Sequence, residues 1–113
     1  MKVYGITNCD TVKKARKWLE SEQIEFTFID FKKQPPTASQ IKQWVEAAGI
    51  DRVLNKRGTT WRKLDEHQKS ITDTQQLVAL LGDYPSMIKR PIFEFNGQVE
   101  VGFSVDTQSA LKL

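Results

Sequence analysis

The stretch Lys2-Val3-Tyr4-Gly5-Ile6-Thr7-Asn8-Cys9-Asp10-Thr11-Val12 changes its hydrophobic period partway through, and that change decides the fold. Val3, Tyr4 and Ile6 give residues 2–6 the character of a short strand, and Thr7-Asn8-Cys9-Asp10 is a polar turn. Beyond it, Val12, Ala15 and Leu19 recur at i, i+3 and i+7, the buried stripe of a helix that runs to about Ser21. Phe26-Thr27-Phe28-Ile29-Asp30-Phe31 reads as the second strand. Strand, helix and strand within about thirty residues make a βαβ unit, with parallel strands and a right-handed crossover.

Downstream, Thr37-Ala38-Ser39-Gln40 is a capping box that follows Pro35-Pro36 and opens a helix. Ile41, Trp44, Val45 and Ala48 form its apolar face, and Gly49 stops it. Thr72-Asp73-Thr74-Gln75 predicts a second capping box and a helix through Leu77, Leu80 and Leu81 that ends at Gly82. Pro91 begins a third strand, Ile92-Phe93-Glu94-Phe95, and Asn96-Gly97 predicts a two-residue hairpin that returns through Val99 and Val101. Ser104 caps a short final helix that ends in Ala110 and Leu111. The order β-α-β, helical block, β-β-α predicts an α/β fold. Its core is a four-stranded mixed sheet flanked by helices, with a helical insertion at about residues 37–84. This is the layout of a thioredoxin-like domain.

At 113 residues the chain is expected to be one domain, 1–113, with one core. Apolar residues make up 39%, and 17 Lys+Arg stand against 14 Asp+Glu, which argues against disorder. The longest aliphatic run, Leu77-Val78-Ala79-Leu80-Leu81, is far short of the ~20 residues of a membrane span. Met1-Lys2-Val3-Tyr4-Gly5 lacks the apolar region of a secretory signal, so a cytoplasmic protein is expected; a monomer is expected as well. A net charge of +3 suits small anions better than nucleic acid. The basic stretch Arg52 to Lys63 could hold phosphate, with Trp61 as a stacking platform. Asp65 and Glu66 follow directly, however, and no direct nucleic-acid contact is expected. Cys9 is the only cysteine and His67, expected to be solvated, the only histidine. That pair supports neither an intrachain disulfide nor a zinc site.

Cys9 stands where the first strand gives way to the first helix, and free backbone N–H groups and the helix dipole there favour an anion. A thiol so placed is a candidate nucleophile. Lys13 and Lys14 follow in the next turn, where helices ordinarily prefer acids, so they fit a negative charge nearby. Asp10 opposes it. The alternative is an inert, half-buried cysteine at a strand end, with the lysines on a solvated helix face. For Arg16 and Lys17 that plainer reading is preferred. Arg90 binds an anion or caps the Tyr84–Ile88 segment. The Arg90-Pro91 bond taken alone is expected to be trans, because only about 5–6% of X–Pro bonds are cis.

Four motifs together resemble the ArsC/Spx family, most closely its proteobacterial YffB branch. They are Gly5-Ile6-x-x-Cys9-Asp10-Thr11-x-Lys13-Lys14-Ala15-Arg16-x-Trp18-Leu19, the run from Leu54-Asn55-x-Arg57 to Asp65-Glu66, Pro85-Ser86-Met87-Ile88-Lys89-Arg90-Pro91, and Val101-Gly102-Phe103. They span nearly the whole chain in order. The resemblance implies a thioredoxin-like fold with a helical insertion, Cys9 as nucleophile, Pro91 as a cis-proline beside it, and Arg90 facing the thiolate. It also exposes departures. Lys13 stands where the arsenate reductases carry an arginine after the cysteine, and Asn55 and Phe103 replace two further arginines of their oxyanion site. Holding arsenate takes several converging charge-assisted hydrogen bonds, so this loss argues against efficient arsenate reduction. Spx-like regulators carry a Cys-x-x-Cys switch, whose second position here is Val12.

What remains is a monothiol reductase that takes glutathione as co-substrate and resolving thiol, with no bound cofactor and no metal. Cys9 and Arg90 are expected to be catalytic. Asn8, Asp10, Lys13, Lys14, Asn55, Arg57 and Pro91 are expected to contact substrate, with Lys14, Asn55 and Arg57 on glutathione carboxylates. By analogy with the superfamily, backbone next to Pro91 pairs with the glutathione peptide. The alternatives are an arsenate reductase with an incomplete arginine set, or a non-enzymatic regulator that binds RNA polymerase.

Overall fold

Strand β1 (Lys2–Gly5) lies at the middle of the sheet. A computed structural model of the chain describes residues 1–112; Leu113, the last residue of the expected domain, lies outside the described residues. On one side β1 pairs in parallel with β2 (Thr27–Asp30), from Lys2↔Thr27 to Gly5↔Asp30. On the other it pairs antiparallel with β3 (Ile92–Phe95), which pairs antiparallel with β4 (Gln98–Val101). The order β2-β1-β3-β4 is the expected four-stranded mixed sheet, flanked by helices. Asn96 (φ 48°) and Gly97 (φ 73°) make the hairpin turn, both in the left-handed region that such a turn requires. The two parallel strands are shorter than their apolar runs suggested. Ile6, Phe26 and Phe31 fall outside them, although Phe31 still donates its N–H to the Gly5 carbonyl at 2.8 Å.

The helices in chain order are α1 (Asp10–Ser21), α2 (Ala38–Ala48), α3 (Ile50–Val53), α4 (Thr59–Arg62), α5 (Glu66–Lys69), α6 (Thr74–Asp83) and α7 (Val105–Leu111), with a 3₁₀ turn at Pro85–Met87. They divide between two compact units. The first comprises Met1–Gln34 and the chain from Arg90 onward, and the second is Pro35–Lys89.

In the first unit, alternation along the strands puts Val3 and its register partner Phe93 on one face of the sheet. There they pack with Ala15 and Leu19 of α1 and Leu111 of α7. Half-buried Trp18, Ile24, Phe28 and Phe103 extend this cluster. On the opposite face Tyr4 donates its hydroxyl to Glu94 Oε1 at 2.8 Å. Arg16 is not the solvated side chain that its place on α1 suggested. Its guanidinium carbon lies 4.2 Å from the centre of the Phe28 ring, because β2 brings an aromatic face beneath it.

Helix α1 ends without a glycine. Ile24 N–H returns to the Leu19 carbonyl and Gln23 N–H to the Glu20 carbonyl, with Gln23 left-handed at φ 58°. This is a Schellman motif, and Ile24 and Leu19 share the same apolar cluster.

The second unit holds the helical block, from α2 at Ala38 to the 3₁₀ turn that ends at Met87. The capping box of α2 forms as expected, with Thr37 Oγ1 accepting from Gln40 N and Gln40 Oε1 accepting from Thr37 N. The second box does not. Helix α6 starts one residue later than expected, capped by Asp73, whose carboxylate accepts from Gln76 N at 3.0 Å. A carboxylate is at least as good a cap as a threonine hydroxyl and gains from the helix dipole. Gly82 does not stop α6, which runs one residue further to Asp83. The stretch from Arg52 to Lys63 is broken up between the end of α3, a turn and α4. These single-turn helices are too short to show a period. Trp44, Ile41, Val53, Leu81 and Ile88 are fully buried in this unit, and His67 is exposed as expected. Among the described residues, no helix is long and apolar enough to cross a membrane.

Candidate active site

Cys9 is the N-cap of α1, in extended backbone (φ −137°, ψ 122°), and its carbonyl accepts the first helical bond from Lys13 N at 2.9 Å. Its side chain makes no capping hydrogen bond. Sulfur stands where helices normally place a Ser, Thr, Asp or Asn oxygen, so the helix itself leaves the N–H groups of Asp10, Thr11 and Val12 without carbonyl partners. The thiol is half-buried. What fixes this helix start is a close approach: a Cβ on Gly5 would fall 2.8 Å from Val12 Cγ2.

The second element is Arg90-Pro91, whose peptide bond is cis. This corrects the trans expectation drawn from base rates and agrees with what the family resemblance implied. The register Tyr4↔Ile92, carried one step further, sets Pro91 level with Gly5. The chain thus enters β3 at the same sheet end where β1 leaves for Cys9. The Pro91 carbonyl accepts Gly102 N–H at 2.8 Å, tying the end of β4 to this point. Pro91 is buried, and Arg90 is half-buried with its Nε shielded from solvent. Gly102 had no role assigned from sequence, although a glycine just beyond a strand is a common sign of such a tie.

Asn8, Asp10, Lys13 and Lys14 are all exposed, on the turn and the first turns of α1. The first unit therefore gathers Asn8, Cys9, Asp10, Lys13, Lys14, Arg90 and Pro91 around one end of its sheet. Asn55 and Arg57 belong to the second unit. There Asn55 Oδ1 accepts Arg57 N–H at 3.0 Å, and Asn55 N–H donates to the Met87 carbonyl at 2.7 Å. The Asn55 side chain shapes its own loop, and the Arg57 side chain is exposed.

Phe103 has a structural task. Its ring meets Trp18 edge-on, with centroids 5.7 Å apart and planes at 68°. Val12, where the family resemblance places the second cysteine of Spx-like regulators, is fully buried. Among the described residues no three His, Cys, Asp or Glu side chains group as metal ligands.

A mixed four-stranded sheet with a half-buried cysteine capping the first helix and a cis-proline at the adjoining strand defines a thioredoxin-like protein. Residues 4–111 match the model of the ArsC family, and the chain belongs to that family. A solved structure described as the YFFB protein is 42% identical, covers 96% of each chain and superposes with a TM-score of 0.92. An arsenate reductase (ArsC) related protein from Brucella melitensis is also 42% identical, with a TM-score of 0.77 over 99% of this chain and 94% of that one. The global transcriptional regulator Spx of Bacillus subtilis is 28% identical over 106 residues, which span 92% of this chain and 80% of Spx.

Proposed function

We propose that the chain is a monothiol reductase that uses glutathione as its resolving thiol. The carrying observation is the placement of Cys9, the sole thiol, as N-cap of α1 at the sheet end where Arg90-Pro91 enters β3. The Cys9 thiolate attacks one sulfur of a disulfide RS–SR′. A Cys9–S–SR bond forms, and R′S⁻ leaves and takes up a proton. Glutathione thiolate then attacks the mixed disulfide, giving a glutathione–R disulfide and restoring the Cys9 thiolate. A second glutathione reduces that product and leaves glutathione disulfide, so two electrons from two thiols balance the reduced RS–SR′ bond. The N–H groups of the first turn of α1, with Lys13 and Arg90, stabilise the anionic sulfur. Asn8, Asp10 and Lys14 border the substrate, with backbone at Pro91 pairing with the glutathione peptide.

Mass spectrometry of the intact protein after exposure to glutathione disulfide tests this reading. A single glutathione adduct is expected on wild type and none on Cys9→Ser, with Arg90→Ala forming it about tenfold more slowly. A wild-type thiol that reacts with iodoacetamide yet never takes up glutathione counts against the proposal. The likeness to Spx supports a second reading, a regulator that binds a protein partner such as RNA polymerase. That reading requires the complex to survive Cys9→Ser.

A further inference from the structure

We infer that the outer edge of β2 takes an extended segment of a partner protein as an added strand, with a basic side chain of that segment in the cavity at the start of β2. Thr27 N–H and Phe31 N–H reach the Met1 and Gly5 carbonyls at 2.9 and 2.8 Å, so these alternate residues turn their backbone groups toward β1. Phe28 lies in the opposite phase, and β2 ends the sheet, so its N–H and carbonyl point to the open side. Sheet edges are ordinarily blunted against new strands. In β2 only the far end is blunted: the Asp30 carbonyl is taken by Lys33 N–H and Gln34 N–H. An added strand gains affinity from such main-chain bonds and specificity from the side-chain pockets beside them.

The cavity supplies the specificity. It is lined by Met1, Glu20, Ile24, Glu25, Phe26 and Thr27, and its volume is about 640 Å³. Thr27 is also the first residue of β2, so one segment spans the cavity and the edge. Ile24 and Phe26 are half-buried against the apolar cluster and form the wall. Glu20 and Glu25 are exposed, and among the described residues neither makes a hydrogen bond or an ion pair. A lysine or arginine matches both features, with its alkyl stem along the wall and its charge at the carboxylates. An acidic segment would be repelled. Because β2 runs parallel to β1, the cavity lies at the sheet end away from Cys9, and a docked segment leaves the thiol open.

The test is a titration of the isotope-labelled full chain followed by amide NMR. The probe is a heptapeptide of alternating threonine and valine with blocked ends and arginine as its second residue. One control has glutamine in place of the arginine, and another has proline in place of the two central residues. The arginine peptide should shift the Phe28 and Asp30 amides and slow hydrogen exchange at Phe28 N–H. The glutamine peptide should bind about fivefold more weakly. The double variant Glu20→Gln, Glu25→Gln should bring the arginine peptide down to that level and leave the glutamine peptide unchanged. The proline peptide, which lacks the donors of a strand, should not bind. No shift at Phe28 with the arginine peptide overturns the inference, as does equal binding of the proline peptide. A concentration-dependent dimer in sedimentation, with shifts at the same amides, also overturns it, since a second copy would then occupy the edge.

Discussion

Gly5 and Val12 are in direct contact across the β1–α1 junction, with no room for a side chain between them: a Cβ at position 5 would lie 2.8 Å from Val12 Cγ2. Val12 is fully buried and β-branched, so it has little freedom to move aside. The contact seats the first turn of α1 against the end of β1, and Cys9 is placed by that seating. Gly5→Ala should destabilise the protein by about 1–3 kcal/mol through overpacking. Denaturant melts would check this, and Val12→Ala should cost less in the Gly5→Ala background than in wild type. Additive losses would show that the two positions are not coupled.

The sheet, α1, α2, the hairpin and α7 were legible because each carries its own local signal. Val12, Ala15 and Leu19 mark a buried stripe, Thr37 and Gln40 a reciprocal cap, Asn96-Gly97 a turn, and Ser104 a cap whose oxygen receives Thr107 N–H. Helices α3 to α5 were not legible, since one turn shows no period. Asp65 and Gln68 did offer a capping box that sequence reading passed over. Within the site, Cys9 was legible from its junction. The cis bond at Pro91 was not, because nothing local distinguishes it and only the family resemblance pointed there. The stacking of Arg16 on Phe28 depends on a strand contact that α1 alone could not reveal.

Gln23 sits at φ 58°, just after α1, in a conformation that side chains with a Cβ resist. Its N–H and that of Ile24 close the helix end, so the position is fixed by two hydrogen bonds. Gln23→Gly should therefore stabilise the protein by about 0.5–1 kcal/mol, a net gain after the greater freedom of glycine in the unfolded chain. Gln23→Ala should bring no gain. Equal melting temperatures for wild type and Gln23→Gly would mean that the αL position carries no strain here.

Helix α6 offers a test of cap register. Asp73 holds the Gln76 N–H, and the neighbouring Thr72 is exposed and does not cap the helix. Asp73→Ala should cost about 1 kcal/mol. Thr72→Ala should stay within about 0.5 kcal/mol of wild type. Urea unfolding of both variants reads the difference, and the reverse order would move the cap back to Thr72.

An arginine at position 103, where the family resemblance places one in the arsenate reductases, asks whether that difference is a simple change of side chain or part of how this fold packs. Phe103 packs edge-on against Trp18 within the cluster of Val3, Leu19, Phe93 and Leu111. An aromatic pair of this kind contributes about 0.5–1.5 kcal/mol beyond the apolar area that it covers. A guanidinium at the same place keeps neither the ring contact nor the dry surface. Phe103→Arg should lower stability by about 1–3 kcal/mol, with a changed near-ultraviolet signal from Trp18. Arsenate-dependent oxidation of glutathione should not appear, because the apolar cluster offers the new guanidinium no partner that would fix it for converging contacts to an anion. A stable Phe103→Arg protein that turns over arsenate would show the opposite, that position 103 can leave the cluster and serve the anion.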